Sequence, residues 1–245
     1  MTPTTLQLGT WLSLGSPVAA ELAALCGFDW ALLDLEHGCA SEAALPEQLR
    51  ALRGSGSGTR GVVRVGAPHP DLIARVLDWG AQGLMVPHVN TAAEAEAIVR
   101  AAHYPPRGER GFSRTVRAHD YGLRTPESTP PPLFLAQIET REAVNRAAEI
   151  ARVDGVDVLF VGPADLQHDL KQHSASVAED FEACLRRVVD AARAAGKSAG
   201  LLVRDPAELP LRVSQGFTHV AVQSDVAILR DAFQKIVQTK SPPTP

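Results

Sequence analysis

Cysteine is scarce in this chain: Cys26, Cys39 and Cys184 are the three among 245 residues. They are too few and too scattered for a disulfide framework or a zinc knuckle, and a reducing cytoplasm is the expected home. A basic surplus is missing as well. The formal net charge is -4 and the isoelectric point about 6.1, which argues against a nucleic-acid binder. No apolar run approaches the length of a bilayer span, and Met1–Gln7 lacks the basic and apolar regions of a signal peptide, so neither a membrane segment nor a leader is expected. Also absent is a glycine-rich phosphate turn after the first apolar run, which a doubly wound nucleotide-binding sheet would want. GSGSG at 54–58 is glycine-rich, but it joins a helical segment to a strand-like one and no helix follows it to receive a phosphate.

What is present is a repeat of short apolar runs separated by helical text. The runs are LQLGTWLSL, WALLDLEHG, GVVRVG, GLMVPHV, LFLAQIE, VDVLFVG, AGLLV and HVAVQ. Parallel strands buried on both faces read as such continuous runs. Between them lie Ala-, Leu-, Glu- and Arg-rich stretches such as PDLIARVLDWG and FEACLRRVVDAARAAG. Gly27, Gly54, Gly80, Gly196 and Gly216 read as helix C-terminal stops, and Thr91, Asp205 and Asp225 as N-caps. Eight such units predict an α/β fold, a single-domain (β/α)8 TIM barrel over residues 1–240, with SPPTP at 241–245 as a disordered tail. The stretch 104–132 is long for a connection. It carries Arg107, Arg110, Arg114, Arg117 and Arg124, and is either a solvated loop or an arginine-bearing flap over an anionic substrate.

The polar residues fall where barrel chemistry is done, at the C-terminal ends of the strands. LFLAQIE closes on Glu139, and VDVLFVGPAD closes on Asp165, one β-α unit further on. Two strands ending in carboxylates suit a hard divalent cation that keeps positions open for water and substrate. Each could instead be a helix cap or a salt-bridge partner. Arg64 stands inside VVRV, where burial demands a partner: a structural ion pair with Asp34 or Glu36, or an anionic oxygen of a ligand. His37, close to Asp34 and Glu36, has the neighbours of a general base. Asp78, in VLDWG, is either a second orienting acid or a surface residue. His88 either touches substrate or supports a residue that does.

Six segments together resemble the HpcH/HpaI aldolase family of metal-dependent pyruvate aldolases: LDLEHG (33–38), VVRV (62–65), LMVPHVNTAAEAE (84–96), YPPRGERG (104–111), QIETREA (137–143) and VGPADL (161–166). They occur in the family's order, and the resemblance runs from about Gly9 to Val237. It implies a hexamer, a trimer of dimers with the last helix exchanged between neighbours. It implies Mg²⁺, Mn²⁺ or Co²⁺ on Glu139 and Asp165, Arg64 at the pyruvate enolate, and His37 with Asp34 as an acid–base dyad. Asp78 matches an acid that reaches a neighbouring active site. Gln137 and the segment Gly162, Pro163 and Ala164 would contact the pyruvate unit, and Arg117 lies near the family's loop arginine.

The implied reaction is reversible retro-aldol cleavage of a 4-hydroxy-2-oxo acid to pyruvate and an aldehyde. No lysine lies among the strand-end residues, which argues against Schiff-base chemistry: Lys171, Lys197, Lys235 and Lys240 all fall in the last third. Oxaloacetate decarboxylation on the same site is the alternative, and a non-catalytic metabolite-binding barrel a more distant one. The text departs from the family in GPADLQHDLKQHS and in the proline-rich stretch after Arg117, both expected beside the aldehyde pocket.

Overall fold

A computed structural model of the chain describes residues 5–125, 130–172 and 177–240. The tail expected at 241–245 and the end of the QHDLKQHS segment lie outside the described residues. The strands are β1 (Gln7–Leu12), β2 (Trp30–Asp34), β3 (Arg60–Arg64), β4 (Gly83–Val86), β5 (Leu133–Ile138), β6 (Val158–Val161), β7 (Ser198–Val203) and β8 (His219–Ser224). Each coincides with one of the eight apolar runs, with β3, β7 and β8 reaching one residue beyond it. They close into a parallel barrel in sequence order, β8 returning to pair with β1. The predicted (β/α)8 barrel is the observed fold.

The helices are α1 (Pro17–Leu25), α2 (Leu45–Gly54), α3 (Pro70–Asp78), α4 (Ala92–Ala102), α5 (Arg141–Asn145), α6 (Ala147–Ala151), α7 (Pro163–Lys171), α8 (Val177–Ala194), α9 (Leu209–Ser214) and α10 (Asp225–Gln238). Thr91 caps α4 in a reciprocal capping box with Glu94, as its position predicts. Gly27, Gly80, Gly196 and Gly216 take the left-handed conformation expected past a helix end. Gly54 does not: it is the last residue of α2, and the left-handed turn comes at Gly56 and Gly58. Asp225 is not the cap of α10 either. Ser224 is, and the Asp225 carboxylate instead accepts the backbone N–H groups of Ser13 and Leu14 beyond β1.

The barrel is filled by Trp11, Trp30, Leu32, Val62, Met85, Leu135, Val158, Phe160 and Ala221. Bulk on one strand is matched by its absence on a neighbour. A Cβ on Gly9 would stand 2.2 Å from the Trp30 ring, and one on Gly200 2.4 Å from Phe160. A larger apolar layer joins the outer barrel surface to the helices. α10 stands apart: Asp225 is its only buried residue, while Val226, Ile228, Leu229, Phe233, Ile236 and Val237 are exposed. Val18, Leu22 and Leu25 of α1 are exposed too.

The described residues of the arginine-rich stretch, 104–125 and 130–132, do not cover the C-terminal ends of their own strands. It follows a helix and precedes a strand, so it returns the chain to the N-terminal ends. There, with Arg60, Gly61, Gln82, Leu133 and Asp157, it lines a cavity of about 680 Å³. Four of its arginines make contacts within the chain. Arg107 pairs with Asp154 at 3.1 Å, Arg110 with Asp78, and Arg124 with Asp120 at 2.8 Å. Arg117 donates to the carbonyls of Trp79 at 2.6 Å and Leu49 at 3.0 Å. Of the two alternatives, a flap over this barrel's own strand ends is not what the described residues of the loop form.

Candidate active site

In the β2–β3 ladder Asp34 lies opposite Arg64, so register alone sets the two side chains together. The Arg64 Nε donates to Asp34 Oδ1 at 2.9 Å and its Nη2 to Oδ2 at 2.7 Å, a two-point clamp. Nη1 lies 2.7 Å from Glu36 Oε2. Both ion-pair partners offered by the sequence are thus used. Trp11 adds to the group: its indole Nε1 donates to Asp34 Oδ2 at 3.2 Å, and the guanidinium stands 5.1 Å from its ring centroid. Burial pushes the Asp34 carboxyl up, but the Arg64 hydrogen bonds and charge, with the N–H groups of His37 and Glu36, hold it below its ordinary value.

Asp34 does not orient the His37 ring. It accepts the His37 backbone N–H at 3.3 Å and that of Glu36 at 3.0 Å, fixing the turn after β2. The ring is 69% exposed, with Nε2 3.9 Å from Glu36 Oε1. Nearness in sequence produced a backbone contact, whereas the predicted dyad needs a side-chain one.

Glu139 follows β5 and is 1% exposed. Its Oε2 accepts from Gln137 Nε2 at 2.7 Å, and its Oε1 from the His88 backbone N–H at 2.8 Å. The His88 ring Nδ1 lies 3.1 Å from the same Oε1. Burial pushes the Glu139 carboxyl above its ordinary value. His88 pulls it back, and the charges of Asp165 and Glu36 push it further up. Asp165 does not end a strand: β6 stops at Val161, and Asp165 lies in the first turn of α7 behind Gly162 and Pro163. Proline opens a helix without losing a needed N–H, and an acid is favoured there by the helix dipole. Gly162 is required by space, since a Cβ would stand 2.4 Å from Glu139 Oε2.

Arg64, Asp34, Glu36, His37, His88, Gln137, Glu139 and Asp165 therefore gather at one end of the barrel. Asp78 and Arg117 do not join them. Asp78 ends α3, which runs back to the N-terminal face, and both residues sit beside the 680 Å³ cavity there. Trp11 was missed in the sequence. Its inward position in QLGTWL was legible, but not its contact with an ion pair. The oxygens able to hold a cation are those of Glu139 and Asp165, with Gln137 Oε1, which is buried and has no hydrogen-bond partner among the described residues. Among the described residues, no group of three or more His, Cys, Asp or Glu is arranged to hold a metal.

The HpcH/HpaI aldolase/citrate lyase family matches residues 7–232. The chain is 37% identical over 236 residues to 5-keto-4-deoxy-D-glucarate aldolase of Shigella boydii, covering 95% of this chain and 91% of that one. Among solved structures, a HpcH/HpaI aldolase/citrate lyase family protein from Burkholderia cenocepacia superposes with a TM-score of 0.90 at 35% identity, over 97% of this chain and 96% of that one. An HpcH/HpaI aldolase from Desulfitobacterium hafniense gives 0.89 at 28% identity, over 99% and 96%. The barrel, the order of its strand-end residues and these likenesses agree: the chain belongs to the HpcH/HpaI aldolase/citrate lyase family and is a carbon–carbon lyase.

Proposed function

We propose that the chain cleaves a 4-hydroxy-2-oxo acid to pyruvate and an aldehyde, with a divalent cation held by Glu139 and Asp165. The observation that carries this is Glu139 itself. A carboxylate 1% exposed, pressed by Asp165 and Glu36, is hard to ionise, and a hard cation offsets that burden. Gln137 Oε1, without a hydrogen-bond partner among the described residues, is a further oxygen donor on the same side. Two carboxylates leave room for water and the 2-oxo acid, as Mg²⁺ or Mn²⁺ requires. When bound, the cation supplies Lewis-acid polarisation of the 2-oxo acid's keto group.

The chain's own residues do the rest. Two N–H groups of Arg64 hold Asp34, and Nη1 makes an ion pair with Glu36. Of its roughly five donors, the remainder are free to meet negative charge developing on the keto oxygen, from a guanidinium that cannot swing away. The exposed His37 ring takes the proton of the C4 hydroxyl. As the C3–C4 bond breaks, its electron pair passes to C3 and the enolate, and a proton is then returned to C3. Gly162, Pro163 and Ala164 form the wall beside Glu139 and border the pyruvate unit.

Asp78 and Arg117 serve this site only from another chain, since both lie at the far end of their own barrel. That supports the homo-oligomer implied by the family resemblance, a hexamer in which α10 is exchanged. The exposed apolar faces of α1 and α10 are surfaces for such an assembly to cover. A cytoplasmic location is consistent with three free cysteines.

The test is proton exchange on pyruvate in D₂O, followed by NMR with and without Mn²⁺ or Mg²⁺, beside retro-aldol cleavage of 5-keto-4-deoxy-D-glucarate, the compound named for the relatives at 37% identity. Metal-dependent loss of the methyl signal is expected. No exchange with any divalent metal refutes enolate formation. Exchange with oxaloacetate decarboxylation but no cleavage of any 4-hydroxy-2-oxo acid would favour the decarboxylase instead.

A further inference from the structure

We propose that His88 is a positioning residue for Glu139, its ring holding the carboxylate in the orientation that receives the cation. This rests on the metal site proposed above. β4 ends at Val86, and the chain turns at Pro87 into a residue with φ 53. A non-glycine residue there is strained unless its surroundings hold it. At His88 they do so from both sides. The backbone N–H donates to Glu139 Oε1 at 2.8 Å, and the carbonyl accepts from Asn90 Nδ2 at 3.0 Å. Asn90 in turn takes the Thr140 hydroxyl at 2.5 Å, and Thr140 is the N-cap of α5. The turn after β4 is thus stitched to the end of β5, where Glu139 stands.

The backbone contact would survive most substitutions, but the ring contact would not. The imidazole Nδ1 stands 3.1 Å from Oε1, a close contact without hydrogen-bond alignment, and Gln137 holds Oε2. Two donors and one ring contact then fix the carboxylate, two of the three from His88. The ring is 58% exposed and Glu139 is 1% exposed, so the imidazole lies between the acid and the solvent. A side chain that served only the fold would not need a left-handed histidine, because glycine or asparagine adopts that backbone more readily.

This separates function from stability by sign. Mn²⁺ binding is measured directly by EPR of the free ion and by calorimetry, for the parent chain, His88→Gly, His88→Asn and Glu139→Gln. Thermal unfolding is followed on the metal-free proteins. His88→Gly is expected to weaken Mn²⁺ binding about 10- to 100-fold, as losing a partner that orients a ligand does. The same change relieves the backbone and should raise Tm by about 2–4 °C. His88→Asn, which tolerates the backbone and offers an amide N–H to Glu139, should keep most of the affinity. Unchanged Mn²⁺ affinity in His88→Gly overturns the proposal while leaving the metal site standing. A fall in both affinity and Tm overturns it too, because the ring would then be holding the fold. If Glu139→Gln binds Mn²⁺ as the parent does, the metal site itself is wrong, and the role of His88 falls with it.

Discussion

Replacing Gly162 by alanine tests the site through a single methyl group. The residue has φ -90 and ψ 96, open to any amino acid, so backbone strain does not enter. Space does. The new Cβ would lie 2.4 Å from Glu139 Oε2, 2.9 Å from Gln137 Nε2 and 3.0 Å from Glu139 Cβ. Comfortable contact begins near 3.5 Å, so the carboxylate must retreat by about 1 Å. The 2.7 Å bond from Gln137 to Oε2 stretches or breaks with it. A 1 Å displacement of a reacting group costs on the order of 100-fold in rate, or about 2.7 kcal/mol at 1.36 kcal/mol per factor of ten. Under the proposed function, the assay couples pyruvate released from a 4-hydroxy-2-oxo acid to NADH oxidation by lactate dehydrogenase. Gly162→Ala should lose about two orders of magnitude in kcat/KM, with its circular dichroism and cooperative unfolding retained. A folded variant with the parent's kcat/KM would refute the argument that the position of Glu139 governs the chemistry.

Arg64→Met removes the guanidinium that neutralises Asp34 and contacts Glu36, and leaving buried charge unpaired should lower stability in urea by about 3–5 kcal/mol. Asp34 contributes to stability through a depressed folded value: its share is present above the unfolded pKa of about 3.9 and is lost as pH falls through that lower value. In the arginine variant the acid limb of Tm against pH should therefore move to higher pH, and an unmoved limb would contradict the pairing. Glu139 has the opposite sign. Its raised carboxyl means that ionisation above about pH 4.3 weakens the metal-free fold. Glu139→Gln should thus raise the metal-free Tm at pH 7 while abolishing Mn²⁺ binding, and a lower Tm would count against the burial argument. Leu22→Glu combined with Phe233→Glu places charge on both exposed apolar faces. Size-exclusion with light scattering should show a smaller species than the parent, and an unchanged mass would exclude those faces from the interface.

The barrel was legible because parallel strands are buried on both sides, so every strand announces itself as an apolar run. Arg64 was legible for the same reason: a charge among valines must have a partner, and register supplied Asp34. Glu139 was visible as the polar end of LFLAQIE. What failed did so for reasons of direction. Asp34 and His37 are three positions apart, but the turn between them hands Asp34 the backbone N–H and sends the ring to solvent. The arginines of 104–132 suggested an active-site flap by composition, although a segment between a helix and a strand belongs at the N-terminal face. VGPAD read as a strand running to its acid, when the proline at 163 already opens α7. Short helices such as α9 carry too few residues for a periodic signal. The exposed face of α10 could not be foreseen from its text, because an amphipathic helix does not say whose core it faces.

Trp11 gives the molecule a way to be watched. Its indole is bonded to Asp34, stands against the Arg64 guanidinium and packs on Phe160 in the barrel interior. The chain has three tryptophans; Trp30 lies deeper against the same phenylalanine, and Trp79 caps the far end of α3. An excited indole is sensitive to the field of adjacent charges. A ligand oxygen drawn to Arg64 would change that field, so emission from one native residue doubles as an optical titration of the site, with no label attached.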